Sequence, residues 1–195
     1  MSNRGHRVRD VNAYMLHASA WRETSLILQV FSREHGNVAM VAKGAKRPYS
    51  ALRPVLAAFQ PLMVSWSGAG EVKTLTRAQL AGIRPLTGKS LMSGWYMNEL
   101  LLRMLPREDP HPGLYDAYDA ALQALSKGDN AASALRRFEW TLLEETGYGM
   151  EGEPPQFDDP VQERQMRAVL RARLDELMGR PMRTRQVMHE LQRYS

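Results

Sequence analysis

Thr24-Ser25-Leu26-Ile27-Leu28-Gln29-Val30-Phe31-Ser32-Arg33-Glu34-His35-Gly36-Asn37-Val38-Ala39-Met40-Val41-Ala42 decides the fold. It holds two short apolar runs, rich in β-branched and bulky residues, on either side of the turn signal Gly36-Asn37. Neither run is long enough for an ordinary helix, so both read as strands. Val11–Leu16 begins another upstream. Pro61–Trp66 is a fourth, with its proline at the start, where no ladder bond is lost. Glu71–Leu75 alternates as a fifth, joined to the fourth by the hairpin turn Ser67-Gly68-Ala69-Gly70. Five strands in about 75 residues predict a small barrel or sandwich rather than a βαβ unit.

Beyond this stretch the period changes. Leu91, Trp95, Met97, Leu101, Met104 and Leu105 recur at helical spacing within Ser90–Leu105, before Pro106. Leu114, Tyr118, Leu122 and Leu125 form a second helical stripe. Ala131–Thr146 is a third helix with Gly147 as its stop. Asp158-Asp159-Pro160 opens a fourth that runs to Gly179, and Thr184–Leu191 is a last short one. The boundary falls near Ala78–Thr87, which predicts an α+β, multi-domain chain: residues 1–80, then a helical domain over 81–195.

The 195 residues suffice for one large or two small domains. With 44% hydrophobic and 24% charged residues, the composition is that of a folded protein rather than a disordered one. No cysteine is present, which removes disulfides, thiolate metal sites and cysteine nucleophiles. His6, His17, His35, His111 and His189 include no pair spaced for a metal on one helix face, so no cofactor is expected. No apolar run is long enough to span a membrane, and the first residues lack a secretory pattern. A cytoplasmic protein is expected. Charge is uneven: residues 1–78 carry 11 Lys+Arg against 4 Asp+Glu, and residues 79–159 carry 7 against 13. A basic first part suits a polyanion, although a solvated basic surface has the same composition.

Gly82-Ile83-Arg84-Pro85-Leu86-Thr87-Gly88-Lys89-Ser90 resembles a phosphate-binding loop but has one residue too many between its glycines. Pro85 also removes a donor, and no good strand leads into it, so it reads as a linker. The carboxylate pairs Glu108/Asp109, Glu144/Glu145 and Asp158/Asp159 sit at helix ends or in loops and read as solvated or capping. No nucleophile elbow or catalytic constellation is present, so no enzyme is expected. Lys43-Gly44-Ala45-Lys46-Arg47-Pro48-Tyr49-Ser50-Ala51-Leu52-Arg53 puts four cations on a loop after a buried-type strand. Such cations can follow a phosphate backbone, and Tyr49 could stack on a base. Arg22, Arg33, Lys73 and Arg77 lie in the same part of the chain. Trp21 and Trp66 are stacking platforms or core residues. In the acidic middle, Arg136 and Trp140 share a helix face beside Arg137. They could receive an acidic peptide; packing of Trp140 with a surface pair such as Arg137 and Thr141 is the simpler reading.

A set of stretches, in order, resembles the RecO family of bacterial recombination mediators. They are Trp21-Arg22-Glu23-Thr24-Ser25-Leu26, Phe31-Ser32-Arg33-Glu34-His35-Gly36, Val41-Ala42-Lys43-Gly44-Ala45-Lys46-Arg47-Pro48 and Phe59-Gln60-Pro61-Leu62. Gly70-Glu71-Val72-Lys73-Thr74-Leu75, Tyr96-Met97-Asn98-Glu99-Leu100-Leu101, Leu135-Arg136-Arg137-Phe138-Glu139 and Gly147-Tyr148-Gly149 continue it. The resemblance implies an N-terminal OB-fold β-barrel followed by an all-α domain. It implies binding of single- and double-stranded DNA, annealing of complementary strands, and a nucleoid-associated location. It further implies partnership with RecR, and in many bacteria RecF, in loading RecA onto DNA coated by the single-strand binding protein SSB. The DNA residues would be Lys43, Lys46, Arg47 and Arg53, with Arg22, Arg33, Lys73 and Tyr49 around them. Relatives dock the acidic SSB tail on the helical domain, which places Arg136, Arg137 and Trp140 there. An adaptor whose DNA binding is incidental is the alternative. The resemblance breaks after Gly149, where relatives carry a further segment, often a four-cysteine zinc module. Here Met150-Glu151-Gly152-Glu153-Pro154-Pro155-Gln156 leads directly to Phe157-Asp158-Asp159, and similarity resumes weakly at Gly179–Arg185. A segment omitted at this point is expected in preference to a true deletion.

Overall fold

The computed structural model describes residues 6–187. Five strands are followed by four helices: β1 (Arg7–Trp21), β2 (Ser25–Ser32), β3 (Gly36–Ala42), β4 (Pro61–Ser67), β5 (Val72–Leu80), α1 (Gly88–Met104), α2 (Pro112–Lys127), α3 (Ala131–Glu145) and α4 (Pro160–Met178). The fold is thus the α+β arrangement expected, and the N-terminal part has OB-fold topology. Of the last expected helix, residues 183–187 are helical. Its remainder lies outside the described residues, as do His189 and residues 1–5.

The strands close in the order β1-β2-β3-β5-β4, with β4 pairing back onto β1. Every pairing is antiparallel except β3 with β5. Closure is completed by β4 on β1 and by the short parallel pairing of Ala39–Val41 with Val72–Thr74. Alternation along each strand sends Leu28, Val30, Val38, Met40, Ala42, Leu62, Val64 and Trp66 into one interior cluster. Trp66 is 2% exposed, so of its two readings the core one holds. β1 is much longer than its apolar run, because bulges at Val8/Val11 and Met15/His17 let it bend around the barrel. The first bulge is held at Asp10, whose N–H donates to Ser65 Oγ at 3.0 Å, while that hydroxyl donates to Asp10 Oδ1 at 3.2 Å. β5 also outruns its expected end, reaching Leu80 through the pairing Leu62↔Leu80. A strand therefore does lead into the glycine-rich linker. The linker is still no phosphate loop, because the Arg84 N–H already donates to Gln60 Oε1 at 2.8 Å.

The chain divides into two compact units. The first comprises Met1–Pro85 and Leu105–Tyr115; the second comprises Leu86–Met104 and Asp116–Ser195. Leu105–Tyr115 is a strap that returns to the barrel. Its Glu108 N–H donates to the Asn37 carbonyl at 3.0 Å, and Arg107 forms a bridge with Asn37. Tyr115 packs on Tyr14 and Phe31, with ring centroids 5.6 and 5.5 Å apart. Those two rings point away from the interior, and the strap buries them.

Within the second unit, Met97, Leu100, Leu101, Leu122, Phe138, Leu142, Leu170 and Leu174 are fully buried. The termini follow the sequence signals. Asp159 caps α4 by accepting the Val161 N–H at 2.8 Å, Pro160 occupies the first turn, and Gly179 closes the helix at φ 59°. The omitted segment expected after Gly149 is a correction. The sequence is continuous, and residues 146–159 connect α3 to α4 directly, with the Gln156 N–H bonded to Gln162 Oε1.

Glu99 fastens the chain after α4. Its carboxylate accepts the Arg183 and Thr184 N–H groups at 2.9 Å each and the Thr184 hydroxyl at 2.8 Å, and pairs with Arg103 at 2.6 Å. Burial pushes this carboxyl up, but the Thr184 and Arg183 donors and Arg103 together hold it below its usual 4.5. A depressed carboxyl stabilises the fold above its unfolded value and ceases to do so as pH falls through the folded one. Glu99→Ala is therefore expected to raise amide exchange at Arg183 and Thr184 by about tenfold near neutral pH. Wild type should approach that behaviour only below pH 4.5. Unchanged exchange in the variant would remove Glu99 as the fastening.

Candidate nucleic-acid interface

One end of the barrel gathers the exposed cations. Ala20↔Leu26 and Leu26↔Ala42 form one row across β1, β2 and β3, and Trp21↔Ser25 is the next. The chain leaves β3 after Ala42, so the loop beginning at Lys43 emerges beside the β1–β2 turn. The Lys46 N–H fastens it there by donating to the Thr24 carbonyl at 2.9 Å. Ala45 is buried in the barrel core, and Leu52, Val55 and Leu56 pack against that core. Successive turns follow: Arg47 N–H to Gly44 carbonyl, Ser50 N–H to Arg47 carbonyl and Arg53 N–H to Ser50 carbonyl, at 3.1, 3.1 and 3.2 Å. Gly44 takes φ 70° at the first of them.

The anchors face inward, and Lys43, Lys46, Arg47, Tyr49 and Arg53 are left outward and exposed. None of the four cations makes an ion pair among the described residues. No acidic residue occurs from His35 to Gly70. Tyr49 is fully exposed. Arg22, at the β1–β2 turn, stands with its guanidinium 5.8 Å from the Trp21 ring centre. The end of the barrel is thus a cationic surface with two exposed aromatic rings, a chemistry suited to phosphates and unpaired bases.

Two residues expected in this set lie elsewhere. Lys73 is corrected: it is 6% exposed, and its ammonium donates to the Gly70 carbonyl at 2.8 Å and pairs with Glu108 at 2.8 Å. It holds the strap instead of facing solvent. Arg33 is half-buried just past the far end of β2, a strand's length from Ser25, and its N–H donates to the Asn12 carbonyl. It does not join the Lys43 loop. Lys73 shares the face of β5 that Leu75 turns into the core, and the strap that meets its ammonium comes from far along the sequence.

In the second unit, Arg136 is also corrected. Its side chain is 10% exposed and pairs with Glu139 at 3.1 Å, with Glu163 4.0 Å away. Glu139 accepts the Tyr96 hydroxyl at 2.8 Å. Burial pushes the Glu139 carboxyl above its usual range, against the pull of Arg136. Burial and then Glu139 push the Tyr96 phenol up as well, while Arg185 beside its ring opposes the rise. Arg136 therefore stands beside a buried carboxylate, with little of its side chain at the surface.

Arg137 is exposed and pairs with Asp158. The Ser133 hydroxyl and Arg137 hold the Asp158 carboxyl below its ordinary range. Arg137 and Trp140 line a groove of about 470 Å³ whose apolar floor includes Ala117, Ala121, Ala124 and Phe157. Its signal in the sequence is the small-residue stripe Ala117, Ala120, Ala121, Ala124 on α2, at spacing 3, 4 and 7. Pro154 and Pro155, from the stretch that departs from the family pattern, also line the groove.

The residues do not fit the zinc module of relatives: the chain has no cysteine, and no His/Asp/Glu cluster among the described residues could hold a metal. No helix among the described residues is long and apolar enough to cross a membrane.

Comparison with known proteins agrees with the sequence resemblance. The family model described as Recombination protein O N terminal matches residues 8–84, and that described as Recombination protein O C terminal matches residues 86–153. The chain is 56% identical over 162 residues to the DNA repair protein RecO of Aromatoleum aromaticum, covering 80% of this chain and 67% of that one. It is 47% identical over 195 residues to the RecO of Ralstonia nicotianae, covering 96% and 72%. Against the RecO of Azoarcus sp. it is 55% identical over 146 residues, covering 74% and 60%. The chain thus spans between 60% and 72% of the length of these relatives.

Proposed function

The chain belongs to the RecO family of DNA repair proteins, and from that premise we propose that it is a non-enzymatic mediator with two separate binding surfaces. The first is the barrel end, which holds single- and double-stranded DNA. The observation that carries it is the set Lys43, Lys46, Arg47 and Arg53, exposed and unpaired on an anchored loop. Ligand binding there needs no conformational exchange, since no internal ion pair must open first. Neutralising two strands on one surface lets complementary strands meet, which is the physical content of annealing.

The second surface is the groove at Arg137 and Trp140, which receives the acidic C-terminal tail of SSB. An apolar side chain fills the alanine floor, and tail carboxylates exchange with Asp158 for Arg137. With RecR, and with RecF where it is used, such a mediator would load RecA onto SSB-coated DNA. Arg137→Ala is expected to weaken an SSB-tail peptide by about tenfold and leave DNA affinity unchanged. Fluorescence anisotropy with a labelled peptide and a labelled oligonucleotide measures both. Parallel loss of the two would reject the division into two surfaces. Peptide binding with negligible DNA affinity at physiological salt would favour the adaptor reading, which the groove also supports.

A further inference from the structure

Trp21 reads from the sequence as a stacking platform or a core residue, and its setting separates the two. It is 43% exposed, against 37% for Trp95 in the helical unit and 2% and 8% for Trp66 and Trp140, and of the four it is the one on the cationic barrel end. It ends β1 on the outer barrel face that Ser25, Ile27, Gln29 and Phe31 share along β2, since Trp21 pairs directly with Ser25. At the Phe31 end of that face the strap covers the aromatic surface through Tyr115. At the Trp21 end it stays open. Arg22, the next residue, holds φ 52°, a left-handed conformation costly for a side chain of its size. That turn sets its guanidinium 5.8 Å from the indole centre. The Lys46 N–H bond to Thr24 fixes the cationic loop beside the same turn.

From this juxtaposition we propose that Trp21 is a stacking platform for one unpaired nucleobase, with the phosphates on either side held by the Lys43–Arg47 loop and by Arg22. The proposal rests on the DNA-binding reading of the barrel end and adds how that end tells single strands from duplex. An indole face is open to a base that is not already stacked and paired. In duplex DNA the bases are withheld, and the surface meets phosphates alone. Arg22, against the indole, adds cation–π attraction. Trp21 thus converts a sequence-independent electrostatic surface into one that prefers unpaired strands.

The test uses three labelled ligands of equal phosphate count: an oligothymidylate, an abasic deoxyribose-phosphate strand and a duplex. Wild type, Trp21→Ala and Trp21→Phe are compared by anisotropy, with unfolding midpoints as a check on folding. Trp21→Ala is expected to lose about 5- to 100-fold in affinity for the oligothymidylate, and Trp21→Phe to keep most of it. Abasic and duplex affinities should stay within about twofold of wild type, because their contacts are electrostatic. Two outcomes overturn the proposal while leaving DNA binding at the barrel end intact. One is undiminished oligothymidylate affinity in Trp21→Ala. The other is an equal loss for the abasic strand, which would make Trp21 a support for the loop. Failure of wild type to bind any of the three would instead reject the parent reading, and this one with it.

Discussion

Gly36→Ala is expected to cost the protein about 4 kcal/mol or more, the range reached when a substitution breaks backbone packing. Gly36 opens β3 at φ 65°, where an L side chain is strained by about 1–2 kcal/mol. The larger effect is contact. A Cβ at this position would stand 2.0 Å from the Asp109 carbonyl oxygen and 2.5 Å from its carbon. Both atoms are backbone, so no rotamer relieves the overlap and the strap must lift. Lifting it breaks the Glu108-to-Asn37 hydrogen bond, strips the buried Lys73 ammonium of its carboxylate partner, and uncovers Tyr14 and Phe31. Urea unfolding of the whole chain measures the loss, and the thermal midpoint should fall by about 10 °C, given roughly 2–4 °C per kcal/mol at this size. A loss below about 1 kcal/mol would mean that the strap is not held against β3 in this way.

The second large effect is on binding. Lys43→Glu, Lys46→Glu and Arg47→Glu together are expected to lower single-strand affinity by about two to three orders of magnitude near 0.1 M salt. Three phosphate contacts disappear and three like charges replace them. Because the wild-type side chains are exposed and unpaired, the unfolding midpoint should not change. Unchanged affinity in a folded triple variant would move the binding face to another part of the molecule.

Much of the barrel was legible because its strands obey local rules. The runs at Thr24–Phe31 and Val38–Ala42 and the proline at position 61 mark elements that nothing distant needs to define. The ends of β1 and β5 were not legible. β1 continues through polar, exposed residues because bulges and the Asp10–Ser65 bonds carry it around the barrel. The helix limits at Asp159-Pro160 and Gly179 were readable for the opposite reason, since each terminus is set by its own residues. The strap could not be read. Leu105–Tyr115 resembles an interhelical loop, and only the tertiary contacts of Glu108 and Tyr115 assign it to the barrel.

The same distinction sorts the site residues. The Lys43–Arg53 loop is self-contained: apolar anchors alternate with cations, and the sequence reveals which must face out. Lys73 and Arg136 are themselves buried beside carboxylates, Glu108 from 35 positions away and Glu139 within the same helix. Charge alone does not distinguish a surface ligand from a buried cation already paired with an acid. For Arg136 a signal did exist, because Glu139 lies three residues on at helical spacing.

In the proposed function, the four free cations of one loop meet the phosphates of single-stranded DNA. The most direct test is the slope of log affinity against log salt concentration for an oligothymidylate, in wild type and in the triple charge-reversal variant. Four neutralised phosphates predict a wild-type slope of about −3, falling below about −1 in magnitude in the variant. A flat wild-type dependence, or the same steep slope in both proteins, would contradict the account.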